Sequence, residues 1–284
     1  MGAYREMSMR LFIGGIRGSR PCTDSKFKIY GGDTTCLLLT GSRGQRLIMD
    51  AGTGLYAVAE QLAATEPSKV TILLSHYHLD HLAGLFANSM FFQKNWKFCF
   101  IGPVLGGIGV KRAVTELLRP PYWSVPWEQM EAEIKFIDLA SEPFHINGFN
   151  IRTCTMPHPG GSACYRIEDL HENRSLIFAT DIELRRLSAD SKTEFMNLCS
   201  DPNPADMLII DSYFTREEID DFTGWGHSCF QDDLDLAQDA GIKRVLLAHH
   251  NAHAHDEILK TREQDAQKIM PGAGFACAGQ CLTI

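Results

Sequence analysis

The sequence predicts an α/β sandwich: two β-sheets packed together, with helices covering their outer faces. Three observations point there. Apolar strand-like runs come in two successive sets, each followed by helix-like stretches. Hydrophobic residues fill 44% of 284 positions, which is ample for a sizeable core. The densest polar cluster, His76-Tyr77-His78-Leu79-Asp80-His81, follows directly on the apolar run Val70–Leu74, as expected where a buried strand ends.

Taken in order, Met9–Gly15 reads as a first strand, followed by a Gly/Pro-punctuated loop over Ile16–Gly32. Cys36–Thr40 and Arg46–Met49 flank a turn at Gly41–Gly44 and read as a hairpin. The second of these strands runs into Asp50-Ala51-Gly52-Thr53-Gly54, where glycine suits a sharp turn and close backbone approach. Leu55–Ala64 is helix-like, and Leu82–Asn88 is expected to begin another helix after the histidine cluster. Lys97–Ile101 is a strand and Val110–Leu118 a helix. Arg119–Met130 holds three prolines and three large aromatics, so it continues neither regular period and reads as an ordered loop or lid. It either plugs the edge of the core or walls a substrate site, where Tyr122, Trp123 and Trp127 would stack on a base. Ile134–Leu139, Phe149–Thr155, Ala163–Ile167 and Ser175–Ala179 are further strands, and Met207–Asp211 is another after a helical insertion at Leu184–Leu198. Phe230–Ala240 is a helix stopped by Gly241, Lys243–Ala248 a strand, Asp256–Met270 the last long helix, and Gly274–Ile284 closes with a short strand. With no repeat, low-complexity tract or linker, residues 1–284 read as one domain.

Composition narrows the function. The net charge of −8 disfavours a broad electrostatic grip on nucleic acid, a local basic pocket aside. Nine cysteines at irregular spacing, odd in number and without a CxxC pair, suit reduced thiols, with Cys36, Cys154 and Cys164 as buried inert ones. Met1–Arg10 has no apolar leader core, Glu6 stands where a myristoylation signal needs Ser or Thr, and no apolar run approaches a membrane span. A soluble, cytoplasmic protein without a membrane partner is expected.

The cluster at 76–81 carries the chemistry. His76, His78 and Asp80 alternate, so an extended or tightly turned backbone points them to one side, and His81 is offset to serve a second metal. Imidazole and carboxylate are ligands of Zn²⁺ and its borderline neighbours. A merely His-rich loop is the plainer alternative, but three of only 11 histidines within six positions are a concentration. Further candidates follow other apolar runs: His158 after Thr155, Asp181 after Ala179, and His249 after Ala248. Asp181 is the natural bridge, because each carboxylate oxygen can serve one cation. His250 rivals His249, and strand phase prefers His249.

In residue types and order, these positions resemble the metallo-β-lactamase-fold hydrolases over nearly the whole chain. The HxHxDH pattern at His76–His81 is specific for that fold, which hosts many chemistries. The resemblance implies an αββα four-layer sandwich of two mixed sheets flanked by helices. It implies two divalent metal ions, Zn²⁺ foremost with Mn²⁺ or Fe as alternatives. His76, His78 and His158 would hold one, Asp80, His81 and His249 the other, and Asp181 would bridge. Asp50 would orient a ligand histidine, or else cap a turn. Gly224-Trp225-Gly226-His227-Ser228, with its histidine 249 − 227 = 22 positions before the last ligand, resembles the ribonuclease Z-like phosphodiesterases. There the histidine would protonate the leaving oxygen, while Asp80 accepts or orients the proton of a hydroxide shared by the metals.

The chain departs from ribonuclease Z in lacking a long Gly/Pro-rich basic arm for tRNA. The expected substrates are therefore small phosphodiesters or cyclic nucleotides. The alternatives are a thioester or lactone hydrolase, which has no need of the GxGHS element, and a non-catalytic metal-binding sensor, which the seven ligand candidates disfavour. A homodimer is expected only by likeness to relatives. His253 and His255 could reach the mouth of the site but read more readily as solvated loop residues, and Arg166 and Arg174 could bind phosphate or equally form surface salt bridges.

Overall fold

The computed structural model describes residues 8–86, 88–139 and 143–284. Met1–Met7, part of the stretch read above for a leader, lies outside them. The first sheet is built from β1 (Arg10–Gly15), β2 (Cys36–Thr40), β3 (Arg46–Met49), β4 (Lys69–Leu73), β5 (Lys97–Gly102) and β6 (Glu133–Asp138). The second contains β7 (Phe144–Ile146), β8 (Phe149–Met156), β9 (Ser162–Asp169), β10 (Arg174–Ala179), β11 (Met207–Asp211), β12 (Val245–Ala248) and β13 (Ala273–Phe275). The last strand, β14 (Cys281–Thr283), returns to the first sheet beside β1. The spatial orders are β14-β1-β2-β3-β4-β5-β6 and β13-β12-β11-β10-β9-β8-β7.

Both sheets are mixed, and this puts the site where it is. β3 through β6 run parallel, as do β10 through β13, while the remaining pairs are antiparallel. Parallel strands end on a common edge, and the crevice beyond that edge is where loops gather side chains. Asp50, Ser75–His81, Asp181 and His249 all follow the carboxyl ends of parallel strands.

Three apolar layers make the sandwich. One lies between the sheets, where Leu11, Leu37 and Leu73 meet Ile151, Tyr165 and Phe178. A second packs the outer face of the first sheet against α1 (Leu55–Ala63) and α2 (Val110–Leu117), through Leu55, Val58, Phe100, Val110 and Val114. The third joins the second sheet to α3 (Ala189–Ser200), α4 (Phe230–Asp239) and α5 (Asp256–Ile269). Central strands such as β11 and β12 are buried along their whole length, hence their uninterrupted aliphatic sequences. All nine cysteines are free thiols, seven of them buried.

Three expectations change. Leu82–Asn88 forms no α-helix. After a short 3₁₀ turn at Leu79–His81 come two more at Ala83–Leu85 and Ser89–Phe92, Ala87 lying outside the described residues. The reason is local: the Gly84 amide donates to Ala51 O, outside its own segment, and Gly84 lies so close to Gly52 that a Cβ there would meet Gly52 O at 2.0 Å. Gly274–Ile284 gives two strands, one in each sheet, separated by a turn at Gly279. β7 was not anticipated, although Asn147-Gly148, both at positive φ, is a strong hairpin signal.

The sheets are also joined by polar contacts at the shared edge. The buried Tyr165 hydroxyl on β9 donates to Leu74 O at 2.6 Å, and the Ala163 amide donates to Ser75 O at 2.9 Å. Tyr165→Phe leaves a buried carbonyl without that donor. It is expected to lower stability by about 1–3 kcal/mol, measured by equilibrium urea unfolding.

Candidate metal centre

The strand ends project their side chains by an uncommon backbone device. Asp50, Asp181 and His249, each just beyond a parallel strand, have φ of 58°, 58° and 53°. Left-handed backbone is tolerated by few residues other than glycine, Asp and His among them, and it clusters at functional sites. Each turn swings a side chain off its strand and into the crevice.

The result is a tight cluster of imidazoles and carboxylates. Ligand atoms of His76, His78 and His158 lie within 4.8 Å of one another, and so do those of Asp80, His81 and His249. Asp181 stands between the two groups: Oδ1 is 3.9 Å from His76 Nε2 and 3.7 Å from His158 Nε2, while Oδ2 is 3.1 Å from His81 Nε2 and 3.2 Å from His249 Nδ1. The seven residues singled out in the sequence thus come together around one centre.

Neighbouring groups hold these rings in place, as outer partners do around metal ligands. Asp50 Oδ2 accepts from His81 Nδ1 at 2.7 Å, and the same carboxylate accepts from the Ser75 amide and hydroxyl. Asp50 therefore both orients a histidine and ties the end of β4. Ser75 Oγ lies 3.0 Å from His76 Nδ1, and His158 Nδ1 donates to Gly226 O at 2.9 Å. Thr35 Oγ1 lies 3.4 Å from His249 Nδ1. Asp80 Oδ2 accepts the Ser19 amide at 2.8 Å.

The donor set fits two cations. His76 Nε2, His81 Nε2, Asp181 Oδ2 and His249 Nε2 are buried without a hydrogen-bond partner, an arrangement that is costly unless something else satisfies them. Burial pushes His76 and His249 down, which keeps them neutral and able to ligate. Burial also works against a charged His81, but Asp181, Asp80 and Asp50 outweigh it and raise this imidazole well above its ordinary value. Burial likewise opposes an ionised Asp181, yet the neighbouring rings of His249, His81 and His76 hold it well below the usual carboxylate range. Buried carboxylates that draw an imidazole upward call for positive charge, and a metal bound there competes with the proton.

His227 sits at the rim of the cluster. Its Nδ1 donates to Asp211 Oδ2 at 2.8 Å, and its ring stacks on Tyr213 (4.5 Å, 13°) and on the ligand candidate His249 (5.0 Å, 24°). Burial disfavours its charged form, but the Asp211 charge and hydrogen bond prevail and raise it to about 8. Glu183 holds the surrounding loop, accepting from the amides of Gly224 at 2.8 Å and Gly226 at 2.9 Å. Gly226 (φ 86°) admits no side chain, since a Cβ there would meet His158 Nδ1 at 2.3 Å.

Asp211 and Glu183 escaped the sequence reading. Asp211 ends the apolar run of β11, so the rule that found Asp181 applies to it; its partnership with His227 across 16 positions leaves no local mark. His250 is not in the cluster: it points the other way, donating to Ala276 O at 2.7 Å and stacking on Phe275, and burial pushes it down to about 3. His253 is exposed, and His255 stands at the N-terminal boundary of α5 without a side-chain capping bond. Arg166 is not a surface residue but a buried tie to the carbonyls of Leu198, Cys199 and Asn203, while Arg174 pairs with Asp206 on the surface. In the aromatic loop, Trp123 packs on Phe86 and Trp127 on Phe136, which for these two rings favours the core-edge plug over a wall that stacks on a base. Tyr122 remains exposed and faces a cavity of about 440 Å³ that starts at His76 and His78.

Residues 45–250 match the family model of the beta-lactamase superfamily domain. Ribonuclease Z of Oceanobacillus iheyensis is 24% identical over 258 residues, covering 74% of this chain and 81% of that protein. The metallo-beta-lactamase fold protein YhfI from Bacillus subtilis superposes with a TM-score of 0.67 at 20% identity, covering 97% of this chain and 99% of that one. A diphosphatase of the PhnP family superposes with a TM-score of 0.70 at 13% identity, over 97% of this chain and 98% of that one. Among the described residues, no helix is long and apolar enough to cross a membrane.

The geometry separates the two adjacent histidines experimentally. His249→Ala is expected to lower bound metal from about two ions per chain to about one, read by elemental analysis of the purified protein. His250→Gln, whose amide can still donate to Ala276 O, is expected to keep both.

Proposed function

The chain belongs to the beta-lactamase superfamily, and on that premise we propose that it is a dinuclear metal-dependent phosphodiesterase acting on small phosphodiesters or cyclic nucleotides. The observation that carries the reading is the Asp211–His227 pair beside a cluster able to hold two cations. The similarity to ribonuclease Z and the fold shared with a PhnP-family diphosphatase add support. His76, His78 and His158 would hold one cation and Asp80, His81 and His249 the other, with Asp181 standing between the two groups. Bound there, Zn²⁺ or a similar divalent ion supplies Lewis-acid activation of water and neutralises charge on the phosphoryl oxygens.

The chain's own residues do the rest. Hydrolysis adds the hydroxyl of water to phosphorus and breaks one phosphorus–oxygen ester bond, so an alkoxide leaves and needs a proton. His227 is placed to give it. With Nδ1–H committed to Asp211, the proton on Nε2 is the one available, and Asp211 holds the imidazolium charged near neutral pH. Stacking on Tyr213 and the hydrogen bonds that Glu183 accepts from the loop amides prevent the ring from swinging away. Asp80, held by the Ser19 amide and kept ionised by His81, is placed to accept or orient the proton of the attacking water.

Two measurements test this. Removing metal with a chelator should abolish hydrolysis of bis-p-nitrophenyl phosphate, and Zn²⁺ or Mn²⁺ should restore it; turnover confined to lactones or thioesters would overturn the phosphodiesterase reading. His227→Ala should slow diesters with alkyl leaving groups by about 10²–10⁴-fold with metal content intact. It should slow p-nitrophenyl esters far less, because p-nitrophenolate needs no proton. Equal losses on both would remove the acid role.

A further inference from the structure

The cavity beside His76 and His78 has a chemistry that the cation cluster does not explain. Its walls are Leu79, Leu105, Ile108, Leu117 and Tyr122, with Pro159–Gly161 closing one side. Tyr122 is 71% exposed and Leu79 63% exposed, so two large apolar side chains face solvent at its mouth. Among the described residues no lysine or arginine lines it, and the acidic residue in its lining, Glu116, is paired with Arg112 on the same helix at 2.8 Å. His227 is absent from its lining and lies beyond His158, ring centroids 5.4 Å apart.

These walls are held firmly. Tyr77 donates its hydroxyl to Pro103 O, tying the 103–108 loop to the end of β4. Tyr122 is flanked by Trp123, which packs on Phe86, so the exposed ring stands on an anchored base. Gly161 (φ 86°) lies against Leu105, where a Cβ would approach Leu105 Cδ2 to 3.2 Å.

We propose that this cavity receives the uncharged, flat organic group of the diester, a ring the size of a nucleobase, and that Tyr122 is its stacking wall. Size, charge and surface agree. A volume of about 440 Å³ falls within the range of small-molecule sites and suits a nucleoside, not a folded polynucleotide. A described lining without cations and with Glu116 disfavours a second phosphate or a polyphosphate tail. An exposed tyrosine over an apolar floor suits a π-face of any base. Because the acid His227 lies outside the cavity, the group held there is the one that stays on phosphorus while the other departs with the proton. This last step rests on the phosphodiesterase reading; the binding does not.

Calorimetric titration of the metal-loaded full chain tests the binding alone. Thymidine 5′-monophosphate should bind about tenfold tighter than ribose 5-phosphate, which carries the same phosphate without a base. Tyr122→Ala should shrink that preference to about threefold or less, and Ala113→Phe, which fills the cavity without deleting a contact, should do the same. Equal affinities for the two ligands in the wild-type protein would overturn the proposal, whether or not the protein hydrolyses diesters. For the retained group, thymidine 5′-p-nitrophenyl phosphate is compared with methyl p-nitrophenyl phosphate. Tyr122→Ala should raise KM about tenfold more for the thymidine ester, and equal changes would overturn the assignment. Failure of wild-type protein to hydrolyse either ester, with the base preference intact, counts against the phosphodiesterase reading and not against the cavity.

Discussion

Three carboxylates and five imidazoles crowd into one largely buried crevice, and the rest of the structure is arranged around that concentration of charge. Asp50, Asp181, His81 and His249 are almost completely buried, and Asp80 is held among them. Ionised groups in such a place are tolerated only when paired, hydrogen-bonded or bound to metal. Asp50 is satisfied by Ser75 and His81. Asp181 Oδ2 and three imidazole nitrogens have no hydrogen-bond partner, and this deficit is the strongest physical sign that cations belong there. The left-handed turns at Asp50, Asp181 and His249 are the backbone's answer to the same demand, since they bring short side chains from separate strands to one point.

The two sheets supply different functions to that point. The first contributes the His76–His81 turn and, through the 103–108 loop and α2, the apolar cavity. The second contributes Asp181, His249, and the Asp211–His227 pair. The centre therefore has an apolar side and an acidic side, separated by His158. The inter-sheet hydrogen bonds from Tyr165 and Ala163 to Leu74 and Ser75 fix the spacing between them, and the register of the sandwich is in effect the register of the site.

The loop carrying His227 is fastened from both sides. Inside, Glu183 and Ser228 tie it to the segment after Asp181, with Ser228 Oγ donating to Ile182 O at 2.8 Å. Outside, Arg185 and Arg216 both pair with Asp232 at the start of α4, and such exposed ion pairs add little stability individually. The inner contacts do more, because buried carboxylate-to-amide bonds are strong and directional.

Much of this was legible along the chain. Strands β2, β3 and β11 have the predicted bounds, because their apolar runs are flanked by turn residues. The HxHxDH cluster, His158, Asp181 and His249 could be found because a polar residue after an aliphatic run marks a strand end. Sequence alone thus determined the ligand candidates and the layered architecture, both written in local pattern. The crevice takes His249 and not His250, the choice that strand phase favours. Only the tertiary structure decided that Asp211 and Glu183 support His227 and its loop, and that Tyr122 lines a cavity while Trp123 and Trp127 pack against the core. Each of those depends on which way a side chain leaves its backbone and on partners far away in the chain, and neither property has a local periodicity to reveal it.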